Sequence, residues 1–113
     1  RLPAAAPLPA WALLPGAFVA FVRTNEELSI VAPAASVPTD LPSVETGWSL
    51  LQLQGPFAFS ETGILASFAA PLAHAGVALF AISTFNTDYL LIKTATLPTA
   101  LRALAAAGHR LNA

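Results

Sequence analysis

The sequence predicts an α+β fold: a ferredoxin-like βαββαβ domain in which both helices cover one face of an antiparallel sheet, with an N-terminal β-hairpin that extends this sheet. Two segments repeat apolar residues at helical spacing, and short runs of branched and aromatic residues flank them. From Trp48 onward these segments alternate as strand, helix, strand, strand, helix, strand. We therefore divide the chain into an arm and hairpin over residues 1–47 and a domain over residues 48–113.

The first 47 residues predict an extended arm, a hairpin and a surface crossover. Residues 1–13 are rich in Pro and Ala and have no regular apolar period. The apolar runs 17–22 and 28–31 are separated by the polar residues 23–27, a spacing typical of an antiparallel hairpin. Prolines interrupt residues 33–47, which predicts an irregular crossover. The hairpin and the second half show no sequence repeat that exceeds similar strand composition.

A strand and a helix open the second domain. Residues 48–54 begin with Trp and alternate apolar with polar residues toward their end, which is typical of a half-exposed strand. Large apolar residues within 64–72 fall one or four apart and predict a helix. Ser60 stands where the N-cap is expected, and Gly76 stands where the helix should stop. Residues 77–82 then form an apolar run that predicts a buried strand.

The rest of the domain follows a polar turn over residues 83–88. A strand is predicted over residues 89–93, and a second helix is predicted to begin after Thr96, with this residue as its N-cap. Gly108 should end this helix, and residues 109–111 predict a short terminal strand. The last strand would complete the sheet.

Composition excludes several functions. The chain is 56% hydrophobic and only 10% charged, with a net charge of −1, so we expect a homo-oligomer, in the simplest case a dimer, that buries part of the apolar surface. Its five basic residues are scattered, which argues against nucleic-acid binding. There is no cysteine, so disulfides, thiolate zinc sites and cysteine nucleophiles are excluded.

A catalytic or metal centre is not indicated either. His74 and His109 are the only histidines, and each is placed near the end of a predicted helix, where a structural role is the simpler interpretation. No ligand set such as H-E-x-x-H and no phosphate-binding glycine loop occurs. We expect no catalytic residue, no metal and no cofactor.

A membrane span is the alternative interpretation of the charge-free interval from Thr62 to Thr87, which exceeds the roughly 20 residues that cross a bilayer. Pro71, His74 and Gly76 interrupt it, and its pattern changes from helix to strand at Gly76. We therefore expect no membrane segment.

The remaining candidate site is the start of the first helix of this domain. The first amides of a helix have no partner within it and are a natural seat for a carboxylate, and Gly63 has no side chain to keep a ligand away. Asp88 could face an ammonium group, Phe85 could form a wall, and Glu61 could meet either a ligand cation or the helix dipole. A cap, a dipole partner and a turn would explain these same residues without any ligand.

The stretch S-E-T-G-I-L-A-S-F-A-A-P-L-A-H-A-G-V-A-L-F-A-I-S-T-F-N-T-D-Y-L-L-I-K, with E-L-S-I-V-A-P upstream, resembles the ACT-domain proteins of the branch that includes the cytosolic arginine sensors, the CASTOR proteins, and small bacterial relatives. The similarity covers residues 48–108 closely and the hairpin more loosely. It implies an ACT domain over residues 48–113 that pairs side by side with another ACT unit and binds a free amino acid at their interface. The implied ligand contacts are Glu61, Gly63, Ile64, Thr84, Phe85, Thr87 and Asp88.

This resemblance also implies what kind of protein the chain is. It would be a cytoplasmic, non-catalytic, allosteric regulatory protein, and its two acids would suit a ligand with a cationic end. The chain holds one complete ACT unit where the sensors hold several, so half of the pocket would come from another subunit. Two alternatives remain: a ligand-free ACT-like assembly module, and a separately encoded regulatory subunit of an amino-acid biosynthetic enzyme.

Overall fold

The structure is a computed structural model that describes residues 1–16, 18–54 and 63–111. The chain divides into two compact units, Arg1–Thr46 and Gly47–Ala113. Within these described ranges, the first unit contains one hairpin, and the second contains a three-stranded sheet with two helices. The α+β class and the ferredoxin-like order of the second unit are confirmed, with differences at the hairpin and at the C-terminus.

The hairpin of the first unit consists of β1 (Ala20–Arg23) and β2 (Leu28–Val31). The two strands are antiparallel, and Arg23 opposite Leu28 closes the hairpin. The prediction for β2 is confirmed, whereas β1 begins later and ends one residue later than the apolar run indicates.

The hairpin was expected to extend the larger sheet, and this part of the prediction is wrong. Among the described residues, β1 and β2 form a two-stranded sheet of their own. The backbone of Leu28 at the start of β2 is also bonded to the N-terminal arm: it accepts from the Leu2 N–H (2.8 Å) and donates to the Leu2 carbonyl (2.9 Å). The arm therefore occupies this edge position, which another strand would need for pairing.

The second unit is built on three antiparallel strands, β3 (Trp48–Gln52), β4 (Leu79–Ser83) and β5 (Asp88–Lys93). Their order is β3-β5-β4, so β5 is central and is the most buried of the three. The pairing is in register from Trp48 opposite Lys93 to Gln52 opposite Tyr89, and Ser83 opposite Asp88 closes the β4–β5 hairpin.

The core of this unit lies between one sheet face and the two helices, α1 (Ile64–His74) and α2 (Leu97–Ala106). Leu90 and Ile92 point from β5 toward Leu72 of α1 and Ala100 and Leu104 of α2, and their burial is the main stabilising term of the fold. The other buried members of this cluster are Leu53 and Val77.

Helix α1 ends as predicted but begins differently. Gly76 has φ 74°, and its N–H donates to the Ala73 carbonyl (3.0 Å) while the Val77 N–H donates to the Leu72 carbonyl (2.9 Å). This left-handed stop is the predicted role of Gly76. The N-cap, however, is Gly63 with φ 78°, so the prediction of Ser60 as N-cap is wrong, and Ser60 itself lies outside the described residues.

Residues 109–111 do not form the terminal strand that their pattern indicates. Gly108 ends α2 with φ 93°, and the His109 N–H then donates to the Leu104 carbonyl (3.0 Å). The His109 ring stacks on Phe68 of α1, with centroids 3.9 Å apart and planes inclined by 21°. These contacts hold the segment on the helix layer, so it does not return to the sheet.

Pro71 explains why His109 is bonded to α1. In an α-helix the carbonyl of Ser67 would accept the N–H of residue 71, but proline has no N–H. His109 Nε2 lies 2.7 Å from the Ser67 oxygen. Since a carbonyl oxygen only accepts, Nε2 carries the hydrogen and replaces the missing helix donor.

The two hairpins follow the same plan at an offset of 60 residues, which was not visible in the sequence. Thr24 and Thr84 each donate their N–H to the carbonyl three residues later, at 2.9 and 2.8 Å, and each hydroxyl oxygen accepts the N–H of that same residue, at 3.1 and 3.3 Å. A short 3-10 turn follows each hairpin, at Ala34–Ser36 and Thr94–Thr96. The units therefore share a structural repeat over strand, turn, strand and 3-10 turn.

Candidate functional site

The turn between β4 and β5 is held by the two threonines at its ends. The Thr84 N–H donates to the Thr87 carbonyl (2.8 Å), the Thr84 hydroxyl donates to the same carbonyl (3.1 Å), and the Thr87 N–H donates to Thr84 Oγ1 (3.3 Å). Phe85 stands at the tip with 79% of its surface exposed. The turn thus presents an aromatic side chain on a backbone that is fixed by its own hydrogen bonds.

Thr87 also ties this turn to the segment that leads toward α1. It is the only buried polar residue in the described part of the chain, with 7% of its surface exposed. Its hydroxyl donates to the Leu53 carbonyl (2.8 Å), and the Leu53 N–H donates to the Asp88 carbonyl (3.0 Å). The end of β3 and the start of β5 therefore meet at the same end of the sheet.

Asp88 faces the helix-covered side of the sheet at this end. Side chains alternate along a strand, so Asp88 shares the face of Leu90 and Ile92, which pack against the helices. The Ser83 hydroxyl, directly across on β4, donates to Asp88 Oδ1. No donor in residues 1–16, 18–54 or 63–111 bonds to Oδ2, and the side chain is only half-buried.

The start of α1 presents backbone amides to the same face. Ile64, its first residue, packs partly against the core cluster, so the helix begins over the helix-covered side of the sheet. The Ser67 N–H is already bonded to the Gly63 carbonyl (2.9 Å), and no described side chain caps the amides before it. The positive φ of Gly63 favours glycine, and a Cβ there would meet no other atom within 4 Å.

The structure thus places six of the seven predicted site residues, in two groups. Gly63 and Ile64 lie at the start of α1, and Thr84, Phe85, Thr87 and Asp88 lie in the β4–β5 turn and at the start of β5. Because α1 ends only a few residues before β4 begins opposite Ile92, the start of the helix is directed toward the other end of the sheet, where this turn lies. Glu61 lies outside the described residues. The hydroxyl of Thr87 is used within the protein, so its contribution is to hold the turn in position.

Sequence reasoning did not single out Ser83 or Leu53, which the structure connects to this site. Ser83 could have been found, because a hairpin with a four-residue loop places the residues on either side of the loop opposite each other. The contact of the Leu53 carbonyl could not be predicted from the sequence, since every residue has a backbone carbonyl.

Neither histidine lies in a metal cluster: in the described part of the chain no group of three or more His, Cys, Asp or Glu side chains could hold a metal ion. His109 is engaged with Phe68 and Ser67, whereas His74 is exposed in the last turn of α1. Across the same described ranges, no helix is both long and apolar enough to cross a membrane.

Comparison with known families agrees with this architecture. The model of the ACT domain matches residues 43–106, which includes all three strands and both helices of the second unit. The chain belongs to the ACT domain family. The predicted resemblance is thereby confirmed, and with it the fold class.

Curated relatives of this ACT-domain chain include the cytosolic arginine sensor for mTORC1 subunit 1. The protein from Bos taurus is 37% identical over 83 residues, which cover 67% of the chain. The one from Homo sapiens is 37% identical over 82 residues, or 66% of the chain. The chain spans about a quarter of the length of these relatives, since 25% of each is covered.

A solved structure resembles the ACT-domain chain over nearly all of its length. The crystal structure of protein Atu0741 from Agrobacterium tumefaciens has a TM-score of 0.90 and 45% sequence identity. The match covers 98% of this chain and 81% of that one, so it includes the N-terminal unit as well as the ACT domain.

Proposed function

We propose that this chain is a non-catalytic regulatory protein that binds a free amino acid between the start of α1 and the β4–β5 turn, at a subunit interface. The observation that carries the proposal is a helix start whose first amides no described side chain caps, directed toward the end of the sheet where the Asp88 carboxylate stands on the helix-covered face. An amino acid has the complementary groups, a carboxylate for the amides and a cation for the acid. The similarity to proteins named as arginine sensors supports this ligand class.

The start of α1, Phe85 and Asp88 each have a direct role in this proposal. The α-carboxylate of the ligand binds the N–H groups at the start of α1, where the positive end of the helix dipole favours an anion. Gly63 leaves the space that this approach requires. Asp88 binds the cationic end through Oδ2, and Phe85 covers the ligand from the tip of the turn. Glu61 is proposed as a second acid for a basic side chain.

The proposed interface follows from the apolar surface. Phe85 is 79% exposed at the site, and two apolar side chains on the sheet face opposite the helices, Leu50 and Phe80, are 39% and 37% exposed. A homodimer would bury such surface and would provide the other half of the pocket. We place this dimer in the cytoplasm, by analogy with relatives that are named as cytosolic.

Regulation then requires a difference in affinity. A ligand shifts the balance between two arrangements of the subunits only if it binds one of them better than the other. A ligand that contacts both subunits meets this condition, because its pocket is complete in one arrangement only. The bound state would be passed on to a partner protein or to the dimer itself.

Isothermal titration calorimetry of the purified chain with the twenty amino acids tests the proposal. We expect heat with L-arginine or L-lysine, and an affinity that falls about 10- to 100-fold but stays measurable in Asp88→Asn, which keeps the shape of the side chain and removes its charge. Asp40→Asn is the matched control, because it removes an exposed acid from the other unit and should leave binding unchanged. Silence across the whole panel would contradict the proposal.

A ligand-free assembly module is the second candidate, and one observation favours it. The hydroxyls of Thr84, Thr87 and Ser83 are all engaged within the turn or with Leu53, so they are explained without a ligand. Such a module would form its dimer equally well with and without amino acids. Analytical ultracentrifugation at several protein concentrations, with and without L-arginine, distinguishes the two functions. L-arginine at about 1 mM is roughly one thousand times a micromolar Kd and would saturate the site.

A further inference from the structure

We propose that Ser83 is a specificity-determining positioning residue: its hydroxyl fixes the Asp88 carboxylate so that Oδ2 is directed to a cationic group of the ligand. This inference rests on the proposed function. It adds a residue that does not contact the ligand in that proposal and acts only through the carboxylate of Asp88.

The hydrogen bond defines the orientation of the acid. Ser83 and Asp88 are the last paired residues of the β4–β5 hairpin, so their side chains stand next to each other on one face. The Ser83 hydroxyl donates to Oδ1. A carboxylate whose first oxygen is bound in this way has lost its rotation about the terminal bond, and its second oxygen points in a defined direction.

The fold does not require this pair. The hairpin of the first unit has the same turn, and the equivalent residues that close it are Arg23 and Leu28. There the guanidinium of Arg23 donates to the Ala4 carbonyl, and Leu28 is completely buried. A hairpin of this type therefore forms without a hydroxyl–carboxylate pair, so closing the turn does not by itself require Ser83 and Asp88.

The charge balance at the site points to a cation. Asp88 has no basic partner among the described residues, and its only described donor is the neutral hydroxyl of Ser83. A neutral donor orients a carboxylate without cancelling its charge. A ligand ammonium or guanidinium group would supply the missing charge, and the fixed position of Oδ2 would reduce the entropy that is lost when it binds.

The test is a set of titrations with L-arginine and L-lysine. We expect Ser83→Ala to weaken binding about tenfold, because an oriented, charge-assisted contact is replaced by a rotating one. Ser83→Thr keeps the hydroxyl and should restore most of the affinity. Ser49→Ala, which removes a hydroxyl that bonds to Thr94 at the opposite end of the sheet, is the matched control and should bind like the unmodified chain.

The decisive comparison repeats Ser83→Ala in an Asp88→Asn background. If Ser83 acts only through the carboxylate, it has no further effect there, and thermal unfolding of Ser83→Ala alone stays near that of the unmodified chain because position 83 is exposed. Equal affinity of Ser83→Ala and the unmodified chain, or an undiminished loss in the Asp88→Asn background, would overturn the role of Ser83 while leaving amino-acid binding intact. No binding of arginine or lysine by the unmodified chain would instead refute the proposed cationic ligand, and with it the role of Ser83.

Discussion

His109 should be more important for stability when residue 71 is proline than when it is alanine. In the present chain, His109→Ala removes both the hydrogen bond to the Ser67 carbonyl and the ring stacked on Phe68. An intramolecular hydrogen bond contributes about 0.5–1.5 kcal/mol, and an aromatic pair contributes about as much again. Because Ser67 is exposed and water can replace part of the bond, we expect a total loss of about 1–2 kcal/mol.

Pro71→Ala changes this value. Alanine supplies the N–H that the Ser67 carbonyl lacks, so His109→Ala no longer leaves that oxygen without a helix donor. The loss should fall to the contribution of the ring stack, and the two substitutions should show a coupling free energy of about 1 kcal/mol. Pro71→Ala alone should stabilise α1, because proline is unfavourable inside a helix.

Urea unfolding followed by circular dichroism measures all four members of this double-mutant cycle, provided that the slope with denaturant is constant. His74→Ala is the control, because it removes the exposed histidine at the end of the same helix and should change stability by less than about 0.5 kcal/mol. A coupling below about 0.3 kcal/mol would show that His109 does not replace the helix donor.

Three further substitutions test the site and the core. Gly63→Ala should lower the free energy of unfolding by about 1–2 kcal/mol, because alanine is strained at φ 78° even where space is open. It should also weaken amino-acid binding in calorimetry. Unchanged stability would contradict the assignment of Gly63 as N-cap. Thr87→Val should cost about 1–3 kcal/mol by leaving the Leu53 carbonyl unpaired, and amide exchange should show faster opening of the turn, whereas Thr87→Ser should behave like the unmodified chain. Leu90→Ala should cost about 2–5 kcal/mol in urea unfolding, since the side chain is completely buried at the centre of the sheet, and a loss under 1 kcal/mol would show that this core is wrongly assigned.

The candidate site shows how far sequence reasoning reaches. Gly63, Phe85 and Asp88 were singled out from the chemistry of their residue types, whereas Ile64, Thr84 and Thr87 came only from the resemblance to the ACT-domain proteins. The two segments could be brought to one place only as a hypothesis, since the hydrogen bonds between Thr87, Leu53 and Asp88 depend on strand register. Ser83 was missed for a related reason: its hydroxyl matters because it bonds to Asp88, the residue opposite it across the hairpin.

Local sequence patterns determined many of the helices, strands and helix ends of this chain, independently of the segments that pack against them. The apolar run of β2, the helical spacing after Ile64 and the glycine stops at Gly76 and Gly108 are properties of short segments, because they depend on side-chain periodicity and on backbone sterics. These features reappear in the structure at or near the predicted positions.

Tertiary contacts decided the remainder. The segment after Gly108 has the composition of a strand, yet the missing N–H of Pro71 and the ring of Phe68 hold His109 on the helix layer. The residues of the first hairpin have the composition of strands that could pair with the larger sheet. The backbone of Leu28 at the hairpin edge is instead hydrogen-bonded to Leu2. In each case a hydrogen-bonding group far away in sequence determined the outcome, and a linear pattern carries no record of such a partner.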